Sequence, residues 1–194
     1  MSAVDSDLRY VQTVITELKS YLLSDEMYWP VRLGSMPREE SYPALTPGNL
    51  LLFRARLRGR RDGGELEHAQ RVALLEMEEQ LDALTQAWRV AWEGKLGREI
   101  KSRMKQWKLK LDEISADPAN RSGYYNADVR ERVLIELLVD EIGEQAPVEV
   151  ELLSTLDERL RALTVDGEFL WEDELQGMFR IEKYWYLYRT LRQH

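Results

Sequence analysis

Cysteine is absent from this chain of 194 residues, and histidine occurs only twice. The lack of cysteine excludes disulfides, thiolate metal sites and thiol nucleophiles. Glu65 and His68 form one Glu-x-x-His pattern, but a di-iron bundle needs this pattern on two helices. The only other histidine is His194, so a complete site cannot be assembled. We expect His68 to lie in the first turns of a helix, near a loop.

Proline and glycine are also scarce, at 6 and 11 residues, and most of them separate segments of helical periodicity. This distribution favours long helices over a β protein with many turns. No run approaches the roughly 18 apolar residues of a membrane-spanning helix. The first residues lack the basic and apolar regions of a secretion signal, so we expect a cytoplasmic protein that uses no membrane.

Charge is unevenly distributed along the chain. The whole chain carries a net charge of -8, yet residues 51–110 hold 14 basic and 9 acidic residues, a net charge of +5. An acidic protein repels phosphate at long range, so the net charge argues against general affinity for nucleic acid. Nucleic acid stays a possible partner but is not favoured. We expect the basic middle and the acidic flanks to complement each other within the fold.

The spacing of apolar residues predicts an all-α protein, a multi-helix bundle of five to seven helices in a single domain, 1–194. Thr46 is expected as the N-cap of a basic helix with Pro47 at its first position, and Asp5 or Ser6 as the cap of the first helix. The predicted segments are a helix 5–24, an irregular connection 25–45, a basic helix 46–61, a long helical unit 65–114, a helix 127–144, a helix 148–164 and an aromatic-rich C-terminal segment 169–192.

The long unit 65–114 organises this prediction because it contains no proline and carries two apolar stripes at three- and four-residue spacing. Gly94 and Gly97 lie where the two stripes fall out of phase. Each glycine destabilises a helix by roughly 1 kcal/mol relative to alanine. We therefore expect a bend or a hairpin turn at these glycines, and the sequence does not decide between one long helix, a bent helix and a hairpin. The stripes are Met77, Leu81, Leu84, Trp88 and Ala91, then Ile100, Met104, Trp107, Leu111 and Ile114.

The densest basic cluster lies in the predicted helix 46–61. Arg54, Arg58 and Arg61 share one helical face, and guanidinium groups bind phosphate in a fork geometry. The cluster is therefore a candidate site for a phosphate ligand or nucleic acid. The alternative is a purely structural role, in which a solvated face pairs with acidic residues of the same chain. Four further cations could extend the basic surface along the long unit: Arg98, Lys101, Lys105 and Lys108.

Carboxylates at helical spacing form the second candidate site. Glu76 and Glu79 lie on one predicted helix and Glu136 and Asp140 on another, and facing carboxylates could hold Mg²⁺ through oxygen ligands. These positions resemble the acidic helices of all-α nucleoside triphosphate pyrophosphohydrolases, which implies a Mg²⁺-dependent nucleotide hydrolase. The resemblance covers these positions only and lacks that family's denser acidic motif. Solvated helix faces carry glutamate at the same spacing.

The aromatic-rich C-terminal segment is the third candidate. Tyrosine and tryptophan bury large areas at protein interfaces, although the same spacing more often marks a core. A final helix from about Arg180 to Arg192 is expected here. The interface candidates are Trp171, Tyr184, Trp185 and Tyr188.

Together these patterns favour a non-enzymatic helical protein that acts by self-association or by contact with another protein, without a cofactor. Phosphate-ligand or nucleic-acid binding through Arg54–Arg61 is the alternative, and the Mg²⁺-dependent hydrolase is the second alternative. No catalytic residue is predicted.

Overall fold

The computed structural model describes residues 2–31 and 42–192. Residues 32–41 of the predicted connection, which include Leu33, Gly34, Met36 and Pro37, lie outside the described residues, as does His194. The chain divides into two compact units, Met1–Glu99 and Ile100–His194. That a single domain spans 1–194 stays a prediction.

The first unit is built from α1 (Ala3–Leu23), α2 (Pro47–Asp62), α3 (His68–Ala87) and the first part of α4 (Arg89–Ala116). α1 begins two residues earlier than predicted, because Ser2 and Asp5 form a reciprocal capping box. α2 begins as predicted, with Thr46 as N-cap and Pro47 at its first position. The fully buried Glu99 carboxylate accepts hydrogen bonds from the Thr46 hydroxyl at 2.7 Å and the Gly48 N–H at 2.8 Å. This negative charge stabilises the N-terminal end of α2.

The long unit 65–114 consists of two helices, and its interruption lies at Trp88. The Trp88 backbone, with φ -116° and ψ 33°, ends α3. α4 then continues for 28 residues through Gly94 and Gly97. The hairpin turn predicted as one possibility at these glycines is therefore wrong, and the interruption lies at Trp88 instead. Lys95 and Leu96 between them are buried, and tertiary packing of this kind outweighs a glycine penalty of about 1 kcal/mol per residue.

As far as Arg192, the second unit contains the rest of α4 and four further α-helices: α5 (Pro118–Arg121), α6 (Tyr125–Ile142), α7 (Leu153–Leu163) and α8 (Ile181–Tyr184). α7 follows a short 3₁₀ helix, Val148–Leu152, and the two together occupy the predicted helix 148–164. The second apolar stripe of the long unit forms part of the core. Its five residues are at most 4% exposed: Ile100, Met104, Trp107, Leu111 and Ile114.

The C-terminal segment is not the continuous helix expected from Arg180 to Arg192. α8 ends at Tyr184, a 3₁₀ turn follows, and β2 (Arg189–Leu191) pairs antiparallel with β1 (Thr164–Asp166). The Arg189 guanidinium donates to the Thr164 carbonyl and hydroxyl, both at 3.0 Å, and this contact favours the extended pairing. This small sheet is the only one among the described residues, and the all-α prediction is confirmed for that part of the chain.

Across residues 2–31 and 42–192, none of the helices combines the length and the apolar character needed to cross a bilayer.

Candidate functional site

The arginines of α2 are held by carboxylates of the first unit. Arg54 and Arg60 are each only 6% exposed, so removing their partners would leave buried charges uncompensated. The pairs join Arg54 Nη2 to Asp82 Oδ1 at 2.8 Å, Arg56 Nε to Asp7 Oδ2 at 3.1 Å, Arg60 Nη1 to Glu65 Oε2 at 3.3 Å, and both Arg58 and Arg61 to Glu78.

This arrangement favours the interpretation that the cluster pairs with acidic residues of the same chain. A phosphate at Arg54, Arg58 or Arg61 would compete with a carboxylate that is already in contact. The phosphate site at these residues stays a prediction, and the geometry gives it no support.

A different basic surface borders an open groove in the second unit, which we call the lysine groove. Its volume is about 590 Å³, within the range of small-molecule sites. It runs between α4 on one side and the 3₁₀ helix and α7 on the other. Its lining residues are Lys101, Met104, Lys105, Lys108, Glu149, Leu152, Thr155, Leu156 and Arg159.

The spacing of these residues explains why they meet. Four α4 residues, at positions 101, 104, 105 and 108, follow the i, i+3, i+4, i+7 pattern of one helical face. Positions 152, 155, 156 and 159 repeat the same pattern on the facing side. Met104 and Leu156 are 4% and 8% exposed and form an apolar floor, whereas Leu152 is 58% exposed at the mouth.

Lys105 and Lys108 carry the unbalanced charge of the groove. Both are exposed, and within the described part of the chain neither has a carboxylate at ion-pair distance. Lys101 Nζ lies 3.7 Å from Glu149 Oε1. Two ammonium groups beside an apolar floor favour a ligand that is anionic at one place and apolar elsewhere.

Arg159 forms one end of the lysine groove and is fixed there. Its Nη1 donates to Asp112 Oδ1 at 2.6 Å, and its Nη2 donates to Ser115 Oγ at 2.9 Å and to the Leu111 carbonyl at 3.3 Å. Because three of its five N–H donors are occupied by groups of its own unit, Arg159 is fixed in place and its charge is partly balanced by Asp112.

The predicted metal ligands have other surroundings. Glu76 and Glu79 are exposed on α3 in the first unit. In the second unit, Glu136 Oε2 accepts from Arg132 Nη1 at 2.7 Å and Asp140 pairs with Lys183. Among residues 2–31 and 42–192, no group of three or more His, Asp or Glu side chains is placed to hold a metal ion. The hydrolase stays a prediction without support from this geometry.

The aromatic interface candidates are engaged within the second unit. Tyr184 is 4% exposed, and its burial, followed by the nearby Asp140 and Glu136 carboxylates, raises the pKa of its hydroxyl. The Arg161 guanidinium lies 3.6 Å from the Trp185 ring centroid. The remaining two candidates are half-buried: Trp171 Nε1 donates to Asn126 Oδ1 at 2.9 Å and Tyr188 OH to the Phe179 carbonyl at 3.0 Å.

The sequence places Lys101, Lys105 and Lys108 on one helical face, where they could extend the basic surface, but it does not predict the groove beside them. The repeated spacing from Leu152 to Arg159 is a signal that could have identified the facing wall, but spacing alone does not show which helices face each other.

Comparison with known proteins adds no assignment, since no protein-family model, no curated protein and no solved structure matches this chain.

Proposed function

We propose that this chain is a binding protein, and that its lysine groove takes a small amphiphilic anion, such as a carboxylate or phosphate ester with an alkyl chain. The observation that carries the proposal is the contrast between the two basic surfaces. Lys105 and Lys108 border an apolar groove without carboxylate partners in the described chain, whereas the arginines of α2 are paired.

The dimensions of the groove support a small ligand. Lys101 and Lys108 are seven residues apart on α4, which corresponds to about 10 Å along the helix axis. An alkyl chain lying along this length would cover Met104 and Leu156. Burial contributes about 0.8 kcal/mol for each CH₂ group, before the entropic cost of association. The anionic end would then be stabilised by Lys105 and Lys108.

The test is calorimetric titration of the whole protein with three probes at low salt. Octyl phosphate carries both features, octanol carries only the chain, and inorganic phosphate carries only the charge. We expect octyl phosphate to bind, with an affinity that falls as salt screens the lysines. Equal binding of octanol would refute the role of charge, and equal binding of phosphate would refute the apolar floor. Absence of binding by all three would refute the proposal.

Self-association is the second candidate function. Val148 and Leu152 lie four residues apart and are 68% and 58% exposed. A second copy could cover them, although a stable interface buries about 1,200 Å² or more. Light scattering coupled to size-exclusion chromatography tests this directly. A dimer that persists at high salt and is lost in Val148→Ser would support it, and a monomer at every concentration would refute it.

The cytoplasmic location also stays a prediction, and fractionation of source cells tests it.

A further inference from the structure

A second pocket lies in the first unit and has the opposite character to the lysine groove. We call it the aromatic pocket. Its volume is about 440 Å³, and it is lined by Glu17, Glu26, Tyr28, Trp29 and Pro30. Among the described residues, two carboxylates and two aromatic rings line this space, and no lysine or arginine does.

The Trp29 ring is held in position by its side chain and its backbone. Its indole Nε1 donates to Glu17 Oε2 at 2.6 Å. Its backbone forms an antiparallel bridge with Leu45, in which the two N–H···O distances are 3.1 and 2.7 Å. A ring fixed in this way loses little entropy when a ligand covers it.

The loop before Trp29 is fixed by the interior of the first unit. Lys95 is 1% exposed and donates to the Ser24 carbonyl at 2.9 Å and to the Glu26 carbonyl. The Tyr21 hydroxyl donates to the Met27 carbonyl at 3.3 Å. These contacts hold the loop in one position, so the pocket is preorganised. The Lys95 ammonium donates hydrogen bonds to backbone carbonyls.

Aromatic faces attract cations through the negative charge above the ring, and tryptophan does so best. Carboxylates add direct charge attraction at the same place. An anion would be repelled by Glu17 and Glu26, and a purely apolar ligand would add no charge to balance the two carboxylates. A cation with an apolar surface satisfies both kinds of lining group.

We infer that the aromatic pocket binds a small organic cation of the quaternary ammonium class, with its methyl groups against Tyr28 and Trp29 and its charge balanced by Glu17 and Glu26. This site is distinct from the lysine groove and does not depend on the function proposed there.

The test compares choline with 3,3-dimethylbutan-1-ol, a neutral molecule of nearly the same shape. Binding is followed by the shift of the Trp29 indole N–H signal in two-dimensional NMR, assigned by its loss in Trp29→Phe. We expect choline to bind at least about five-fold more tightly, since one partly screened charge pair contributes about 1 kcal/mol. Equal affinity of the neutral molecule, or no shift with either, would overturn the inference.

Charge variants locate the site. Glu17→Gln keeps an oxygen that can accept from the Trp29 indole, and Glu26→Gln changes an exposed side chain. Each is expected to weaken choline binding about three- to five-fold, since each removes one charge pair. Glu79→Gln makes the same change at an exposed position on α3 and should leave affinity unaltered. An equal loss in all three variants would reduce the effect to net charge and overturn the assignment.

Discussion

Tyr125 and Tyr186 are both buried in the second unit, but among the described residues only the Tyr125 hydroxyl has a hydrogen-bond partner. Comparing them tests what a buried hydroxyl contributes to the free energy of unfolding. Tyr186 is fully buried, and its hydroxyl has no hydrogen-bond partner within the described residues. Its ring is covered by the Arg132 guanidinium at 4.7 Å. Tyr125 is 2% exposed, and its hydroxyl donates to the Tyr186 carbonyl at 3.0 Å. Replacement by phenylalanine therefore removes an unsatisfied group in one case and a hydrogen bond in the other.

The expected effects at neutral pH have opposite signs. A buried polar group without a partner costs about 1–3 kcal/mol, so Tyr186→Phe should raise the free energy of unfolding by about 1 kcal/mol. A buried hydrogen bond contributes about 1 kcal/mol, and its loss leaves a carbonyl with one fewer donor. Tyr125→Phe should therefore lower the free energy of unfolding by about 1–2 kcal/mol.

The same tyrosines predict a loss of stability in alkali. Burial raises the pKa of the Tyr186 hydroxyl well above its usual value, and burial likewise raises the pKa of Tyr125. Above about pH 10 the unfolded chain releases these protons while the folded chain keeps them, so the folded state binds more protons and stability falls as pH rises. Each such tyrosine lowers the stability by about 1.4 kcal/mol for each pH unit in this range. Either phenylalanine variant removes one of these tyrosines and should therefore lose less stability in alkali.

Urea denaturation followed by circular dichroism at pH 7.5 and pH 10.5 measures all three effects. The predicted result is a higher midpoint for Tyr186→Phe, a lower one for Tyr125→Phe, and a smaller alkaline loss for both. Destabilisation by Tyr186→Phe equal to that by Tyr125→Phe would show that the Tyr186 hydroxyl has a partner in solution. That outcome would refute the reasoning.

Two further stability predictions follow from α4 and α6. Gly94→Ala should raise the free energy of unfolding by about 0.5–1 kcal/mol, because Gly94 lies inside α4 and an added Cβ meets no atom within 4 Å. A lowered thermal midpoint would contradict this prediction. Arg132→Met should lower the free energy of unfolding by about 3–5 kcal/mol, because Arg132 is 4% exposed and binds both carboxylate oxygens of Asp157 at 2.8 and 2.9 Å. A change below about 1 kcal/mol in urea denaturation would show that this ion pair is dispensable.

The helical parts of the fold were accessible from sequence where one local signal determined the structure. Thr46 and Pro47 fixed the start of α2, since a cap and a preset φ act within one turn. The break at Trp88 was missed because Gly94 carries a stronger local signal against helix. Burial of neighbouring Leu96, which only the tertiary structure provides, overrides that signal.

The C-terminal segment shows the same limit. Tyrosine and tryptophan have high β-propensity as well as helical spacing, and pairing between β1 and β2 depends on residues about 25 positions apart. The sites were only partly predictable for a related reason. The charges of Arg54 and Lys105 are visible in the sequence. Only the tertiary structure shows that Arg54 pairs with Asp82 and that Lys105 has no carboxylate partner among the described residues.

The most direct test of the central claim compares two double variants that remove the same charge from the two basic surfaces. Lys105→Gln with Lys108→Gln alters the lysine groove, and Arg58→Gln with Arg61→Gln alters the arginine cluster. Each exposed charge pair contributes about 1 kcal/mol, so the lysine variant should weaken octyl phosphate binding by about 20- to 30-fold. The arginine variant should leave the affinity within about two-fold of the original, since neither Arg58 nor Arg61 is a lining residue of the lysine groove. A loss confined to the arginine variant would contradict the account and return the anion site to α2.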